Sequence, residues 1–190
     1  MTIGFALCGS FCTYHAVFPA MESLAKQHTV IPIFSFAAAT TDSRFGTAQS
    51  HLETAARLCG TPPLQTIAQA EPIGPKKLLD VLVVAPCTGN TLAKLAHSMA
   101  DTPVTMAAKS HLRNGRPLVI AISTNDALAG AAENIGHLLA RKHCYFVPFR
   151  QDDPTGKPTS LVADFAQIPM SIAAAMNHTQ LQPLLLPSAK

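Results

Sequence analysis

The segment Asp80–Lys109, DVLVVAPCTGNTLAKLAHSMADTPVTMAAK, decides the fold. It opens with the wholly apolar run Val81–Ala85, a pattern typical of a strand buried on both faces of a parallel sheet. The run stops at Pro86, and a helical pattern begins at Leu92, after the small residues of Cys87–Thr91. Anions bind at helix N-termini, and ligands of open α/β sheets bind at the carboxyl ends of strands. This junction therefore predicts a crevice for a phosphate-bearing cofactor.

Strands and helices alternate along the rest of the chain, and this order predicts an α/β fold. The expected architecture is a three-layer Rossmann-like (flavodoxin-like) doubly wound parallel sheet. Pro32 predicts an edge or bulged position for the second strand, because proline cannot donate a backbone hydrogen bond. The predicted strands are 2–8, 30–35, 81–85, 117–123 and 145–148, the last of these being the final strand, and the predicted helices are 16–26, 48–59, 92–100, 104–112 and 128–141.

No linker divides the chain, so one domain is expected over residues 1–178. Residues 179–190 are predicted to form a C-terminal tail that is either loose or docked on a partner. Residues 35–45 and 150–160 are predicted to be loops. The chain of 190 residues is long enough for a sizeable core.

The composition predicts a homo-oligomer, because only 13% of the residues are charged while 48% are apolar. The alternative is a monomer whose exposed alanines need no partner. The net charge of +3, without a cluster of Lys and Arg among aromatic residues, argues against a nucleic-acid partner. No apolar run is long enough for a membrane span, and no signal-peptide pattern is present.

The five cysteines form no CxxC pair, so neither a disulfide framework nor a zinc ribbon is indicated. Cys8 and Cys12 are spaced like metal ligands, but no third Cys or His completes a site, and no metal is predicted. A reduced, cytoplasmic protein is the expectation.

Small polar residues follow each of four predicted strands. Because the carboxyl ends of parallel strands meet at one edge of a sheet, these residues predict a flavin mononucleotide (FMN) site. The GxGxxG fingerprint of dinucleotide-binding folds and the GxxxxGK[ST] loop of nucleoside triphosphate sites are both missing. The cofactor-binding candidates are Gly9, Ser10, Ser35, Pro86, Cys87, Thr88, Asn90, Thr91, Ser123, Thr124 and Asn125.

Ala85–Ala96 with Asp101, APCTGNTLAKLA followed by D, resembles the signature APxSANTxAKxAxGxxDN of the homo-oligomeric flavin-containing cysteine decarboxylase superfamily. That superfamily includes pantothenoylcysteine decarboxylases and flavin prenyltransferases. A closer resemblance, to the family of dipicolinate synthase B subunits, covers nearly the whole chain. It rests on GFAL and GSFC at 4–12, AEPIGPKKLLD at 70–80, DTPVTMAAK at 101–109, HLRN at 111–114, ISTND at 122–126, YFVPF at 145–149 and QDDP at 151–154.

The closer resemblance implies a flavoprotein that takes part in oxidising a dihydrodipicolinate-type intermediate to dipicolinate, a small dicarboxylate, during sporulation. It also implies a partner, the companion A-type chain of the synthase, which would bring NAD(P), and a place in the mother cell of a spore-forming bacterium. Such a flavoprotein is expected to be inactive or weakly active alone. Two alternatives stay open: a non-catalytic scaffold or activator of the companion chain, and a flavin-dependent decarboxylase of the same superfamily.

Three departures from the wider superfamily argue against its other reactions. Pro72 stands where the decarboxylases carry a catalytic histidine, and proline has no proton to give. Their substrate-clamping loop, ACGDxGxGRM, is absent, and residues 150–160 take its place. The basic residue that flavin prenyltransferases carry after the strand ending at Ile122 is also absent, so neither decarboxylation nor prenyl transfer is expected.

No catalytic residue is assigned, and the candidates are Lys109, His111, Glu71 and Cys87. Lys109 and His111 lie in a stretch that the closer resemblance covers. Glu71 stands beside the lost histidine position, where it is either a base or a surface carboxylate. Cys87 is either a thiolate activated at a helix N-terminus or a small replacement for the superfamily's serine. Several basic residues could meet a dicarboxylate, or else lie on solvated helix ends or oligomer contacts: Lys76, Lys77, Lys109, His111, Arg113 and Arg116.

Overall fold

A seven-stranded, mostly parallel sheet forms the centre of the computed structural model, which describes residues 1–188. The predicted α/β class with a central parallel sheet is confirmed. The strands are β1 Thr2–Leu7, β2 Thr29–Phe34, β3 Val81–Cys87, β4 Leu118–Thr124, β5 Cys144–Phe146, β6 Phe149–Arg150 and β7 Leu161–Ala163.

The strand order β2-β1-β3-β4 places the two most apolar strands, β3 and β4, in the interior of the sheet. All seven residues of β3 are buried, which is why its sequence shows no alternation between apolar and polar residues. β2 stands at the end of this order, so the edge position predicted from Pro32 is confirmed.

On the side away from β3, two different strands pair with β4. β5 runs parallel to the first half, at Leu118–Ile120. β7 runs antiparallel to the end, where Ser123 and Thr124 pair with Val162 and Leu161. The chain therefore folds back over the carboxyl edge of the sheet, and this return is what completes the candidate site.

The helices lie on both faces of the sheet. α1 packs with α8 on one side, and α5 packs with α6 and α7 on the other. Polar N-caps start several of them, for example Thr47 before α3 and Thr88 before α5. The helices are α1 Tyr14–Ala25, α2 Phe36–Thr40, α3 Ala48–Cys59, α4 Ile67–Ala70, α5 Gly89–Ala96, α6 Pro103–Leu112, α7 Ala132–Leu139 and α8 Ile168–Met176.

Several predicted boundaries were wrong. The predicted loop 35–45 contains α2. Ser35 caps this short helix, because its side chain accepts a hydrogen bond from the Ala38 N–H. The predicted helix at 92–100 begins at Gly89 and ends at Ala96, and the one at 128–141 begins only at Ala132. The strand predicted as the last is followed by β6 and β7, which are too short to show a pattern.

The described part of the predicted tail, residues 179–188, lies against the chain's own sheet. The Gln180 side-chain amide bonds both the N–H and the carbonyl of Phe146, at 2.8 and 2.7 Å. Phe149 exchanges backbone hydrogen bonds with Leu184 and Leu186. Residues 189–190 of the predicted tail lie outside the described residues. Among residues 1–188, no helix is long and apolar enough to cross a membrane.

Candidate functional site

A cleft of about 250 Å³ lies at the carboxyl ends of β1, β3 and β4. These strands are neighbours, so the residues that follow them meet at one edge of the sheet. The walls of the cleft are Gly9, Ser10, Cys12 and Thr13 after β1, Thr88 after β3, Ser123, Thr124 and Asn125 at the end of β4, and Asp152, Lys157, Ser160, Leu161 and Val162 from the returning chain.

Two hydroxyl groups bridge the ends of β1 and β4. Ser10 Oγ and Ser123 Oγ are 2.7 Å apart, although 113 positions separate them in the sequence. Only one proton is used within such a pair, so the other hydroxyl proton is left to donate to a ligand.

The N-terminus of α5 supplies further donors beside this pair. Thr88 caps the helix by accepting from the Thr91 N–H at 3.4 Å. The N–H groups of Gly89 and Asn90, in the first turn, have no acceptor within the helix. A Cβ at Gly89 would lie 2.8 Å from Asp126 Oδ1 and 3.0 Å from Thr124 Oγ1. The helix start therefore packs closely against the turn after β4, and a glycine permits this approach.

The returning chain brings charged and polar residues that the sequence reasoning did not assign to the site. Thr159 donates its hydroxyl to the Asn125 carbonyl at 2.6 Å, and Ser160 Oγ lies 3.4 Å from Asn125 Oδ1. Asp152 pairs with Lys157 at 3.4 Å. Burial acts to raise the pKa of Asp152, but the Ser160 hydroxyl and the Lys157 charge outweigh it and lower the pKa overall. No sequence pattern signals this return, since β7 has only three residues.

Six of the eleven cofactor-binding candidates line the cleft: Gly9, Ser10, Thr88, Ser123, Thr124 and Asn125. The other five lie around it. Thr91 is buried one turn into α5 and donates to Cys8 Sγ at 3.3 Å. Asn90 is exposed in the first turn of that helix. Ser35 is buried as the cap of α2, and Pro86 and Cys87 are buried in β3.

Cys87 is fully buried, and burial together with the nearby Cys8 raises the pKa of its thiol well above the usual value. Burial also raises the pKa of Cys8 to about 11. Both thiols are therefore neutral at pH 7. Because a nucleophile needs the thiolate form, the geometry favours the other interpretation of Cys87, a small residue packed against the site.

The remaining catalytic candidates do not line the cleft. Glu71 is exposed in the short 3-10 segment Glu71–Ile73, and Lys109 is exposed on α6. His111 is 1% exposed and donates from Nε2 to the Pro117 carbonyl at 3.0 Å. Since Pro117 precedes β4, His111 lies at the opposite edge of the sheet from the cleft. Its surroundings are those of a structural histidine.

The buried His111 predicts a pH dependence of stability. Burial lowers its pKa to about 4, and the hydrogen bond to Pro117, which acts to raise the pKa, offsets only part of this decrease. An unfolded histidine titrates near pH 6.5, so between pH 6.5 and 4 the unfolded chain binds more protons than the folded one. Stability should fall by up to about 3 kcal/mol as the pH drops through this window, and should not change from this cause above pH 7.

Urea unfolding of the wild type and of His111→Gln, at pH 7.5 and at pH 5, measures this effect. The glutamine amide can donate to the same carbonyl but does not titrate, so the variant should show a weaker loss of stability in acid. Equal losses in the two proteins would rule out His111 as the source.

A metal site finds no support in the geometry. Residues 1–188 contain no group of three or more His, Cys, Asp or Glu side chains that could hold a metal ion. Cys8 is buried while Cys12 is exposed, so the two thiols do not converge.

The donors of the cleft fit the phosphate end of FMN. Ser10, Thr88 and Ser123 line the cleft together, and Thr88 caps α5, a helix N-terminus of the kind at which proteins bind phosphate. The Ser10–Ser123 pair keeps a hydroxyl proton to donate, whereas Thr88 donates its own to Thr91 Oγ1 at 3.2 Å. The cleft is smaller than the roughly 300–1,000 Å³ of pockets that enclose a whole ligand. A larger cavity, of about 660 Å³, lies between α1 and β7. It adjoins the cleft, because Thr13 and Val162 line both the cavity and the cleft.

The comparisons with known proteins agree with this fold and site. A model of the family described as Flavoprotein matches residues 1–150, and the chain belongs to that family. Within it, the chain is 46% identical over 185 residues to the B subunit of dipicolinate synthase from Bacillus subtilis (strain 168), a match that covers 97% of this chain and 92% of that one. The resemblance to dipicolinate synthase B subunits is therefore confirmed.

Solved structures give the same result. The crystal structure of the dipicolinate synthase B subunit from Bacillus halodurans matches with a TM-score of 0.90 and 44% identity, over 99% of this chain and 97% of that one. The FMN-dependent cysteine decarboxylase SpaF matches with a TM-score of 0.67 over 92% of this chain and 97% of its own. At 20% identity, this second likeness shows a shared fold alone.

Proposed function

We propose that this chain binds FMN and takes part, as the flavoprotein component of a dipicolinate synthase, in oxidising a dihydrodipicolinate-type intermediate to pyridine-2,6-dicarboxylate. The observation that carries the proposal is that Ser10, Thr88 and Ser123, from three strand ends, line one cleft in which Thr88 caps the N-terminus of α5. This arrangement suits a phosphate monoester. The family of the chain and the name of its Bacillus subtilis relative support the cofactor and the reaction.

Ser10 and Ser123, with the N–H groups of Gly89 and Asn90, would hold the phosphate, and Thr88 would position that helix start as its cap. A bound flavin would supply an acceptor for the hydride that a dihydropyridine ring must lose to become aromatic. Lys157 lines the cleft with a cationic group suited to a substrate carboxylate. The buried Asp152 Oδ1 has no hydrogen-bond partner in the described chain, so this carboxylate oxygen is available to accept a hydrogen bond from a ligand.

We further propose that a partner, the A-type chain of the synthase, brings NAD(P) to the reaction. This chain has no dinucleotide fingerprint, and the Bacillus subtilis relative is named as one of the subunits of a synthase. Service during sporulation, in the cytoplasm of the mother cell, belongs to the same proposal.

A second candidate function is a non-catalytic activator of the A-type chain. It is favoured by one observation, that none of Lys109, His111, Glu71 and Cys87 lines the cleft. A decarboxylase has less support, since Pro72 has no proton to donate.

The flavin content of the purified chain separates these functions. We expect a yellow protein with flavin absorbance, or stoichiometric uptake of added FMN. A colourless chain that takes up no FMN and still activates the A-type chain would replace the first proposal with the second.

We also expect a homo-oligomer. Several large apolar side chains are exposed, among them Met99, Leu128 and Met170 at 49%, 51% and 58%, and the cleft is too small to enclose a flavin within one chain. Light scattering should give a mass of at least two chains at micromolar concentration. A monomer mass across the working range would contradict this expectation.

A further inference from the structure

A second cleft, of about 320 Å³, lies among α5, α6 and the end of α7. It shares no residue with the cleft proposed to bind FMN, which is called the flavin cleft below. Four cationic side chains and no carboxylate line it. The lining is Leu95, Ser98, Met99, Thr105, Ala108, Lys109, Leu112, Arg113, Arg141 and Lys142.

The cations occupy two separate walls. Lys109 on α6 and Arg113, the helical C-cap residue of α6, are four residues apart, so they lie on the same side of that helix. Arg141 and Lys142 follow α7. Because α5 packs against both α6 and α7, the end of α5 lies between the two walls.

The floor between the walls is apolar and fixed in position. Leu95 and Ala108 are buried there, beside the partly buried Leu112. Arg141 holds the floor in place, because its guanidinium donates to the Leu95 carbonyl at 2.9 Å and to Ser98 Oγ at 3.2 Å. These bonds tie Arg141 to the C-terminal turn of α5, where the Leu95 carbonyl also accepts from the Ser98 N–H at 3.1 Å.

The four positive charges are not neutralised within the described chain. None of the ion pairs among residues 1–188 involves Lys109, Arg113, Arg141 or Lys142. A concave surface lined by charges of one sign concentrates their field, and an anion inside it would meet several cations at once.

We propose that this cleft binds a small organic dianion, with two carboxylates on an apolar body. The separated walls account for two negative groups, and the apolar floor accounts for the body between them. This proposal goes beyond the proposed function and does not depend on flavin binding.

Calorimetric titration with benzene-1,3-dicarboxylate at low ionic strength tests the proposal, with benzoate and inorganic phosphate as comparison ligands. The wild type should bind the dicarboxylate saturably, at least about tenfold tighter than either comparison ligand, because only the dicarboxylate reaches both walls and the floor. Lys109→Gln and Lys142→Gln should each weaken binding about fivefold, as expected for an exposed charge pair, and about 25-fold together.

Lys26→Gln is the matched control, since it removes one exposed lysine charge at the end of α1, on the other face of the sheet. Its affinity for the dicarboxylate should equal that of the wild type. Thermal melting of the double variant checks that its fold is intact.

Two results would overturn the proposal: no saturable binding below millimolar concentrations, or equal weakening in Lys26→Gln. Binding of phosphate or benzoate as tight as that of the dicarboxylate would overturn the assignment of a dianion with an apolar body. None of these results depends on whether the chain binds flavin, so failure of this proposal and failure of the proposed function are distinguishable.

Discussion

Replacing Asn90 by aspartate is expected to abolish flavin binding while leaving the fold intact. Asn90 is the second residue of α5, beside the proposed phosphate donors, and its side chain is exposed. If the FMN phosphate binds at this helix start, a carboxylate within about 5 Å of it would cost about 3 kcal/mol per pair of unit charges at an effective dielectric constant of 20. The dissociation constant for FMN should therefore rise at least about 100-fold, which fluorescence titration with FMN would measure.

The same substitution should not destabilise the helix. A negative charge near a helix N-terminus is favourable, by about 0.3–1 kcal/mol. A loss of flavin with an unchanged or slightly raised melting temperature would therefore identify a charge effect. Asn90→Ala, which removes the amide without adding charge, is the control, and we expect it to bind FMN more weakly than the wild type but more tightly than Asn90→Asp. Unchanged flavin stoichiometry in Asn90→Asp would show that the phosphate lies elsewhere.

The central sheet was predictable because its physical causes lie within short stretches of sequence. The run at Val81–Ala85 is apolar throughout, as a strand covered on both faces must be, and it forms β3. The helix predicted at 48–59 has the observed bounds, because Thr47 caps its start and Gly60 ends it with a φ of +66°. Such local signals need no knowledge of the rest of the fold.

The antiparallel return of the chain was not predictable in the same way. β6 and β7 have two and three residues, too few for any periodicity to show. What fixes β7 is its pairing with Ser123 and Thr124, a tertiary contact between distant segments. The sequence placed residues 150–160 in a loop but did not show that the chain comes back to the site.

The candidate site likewise contains residues that the sequence could predict and residues that it could not. Residues directly after strands, such as Ser10 and Ser123, could be expected at one edge because parallel strands end there together. Asp152 and Lys157 enter through the return, so sequence reasoning missed them. For His111, the sequence offered only a position within a stretch that resembles the family. Its burial and its hydrogen bond to the Pro117 carbonyl depend on tertiary packing, which no local pattern shows.

Dipicolinate formation is expected to need a partner chain. Within the described residues, none of the four catalytic candidates lines the cleft proposed to bind FMN. A dihydropyridine loses a hydride and a proton when it becomes aromatic, and a nicotinamide brought by the A-type chain would take or pass on the hydride. The rate with both proteins should exceed that of this chain alone by at least about 100-fold, a barrier difference of about 3 kcal/mol.

The assay combines this chain, its candidate A-type partner, the dihydrodipicolinate precursor and NAD(P), and it follows the absorbance of the pyridine dicarboxylate. Omitting each protein in turn assigns the activity, and Asn90→Asp in place of the wild-type chain then tests whether the contribution of this chain requires its flavin cleft. A rate that falls with Asn90→Asp as far as it falls without the chain would place the flavin in the reaction. A rate unaffected by Asn90→Asp but dependent on the chain would make this protein an activator. Full turnover by this chain with FMN and oxygen alone would refute its role as one part of a two-protein synthase, because no second hydride acceptor would then be needed.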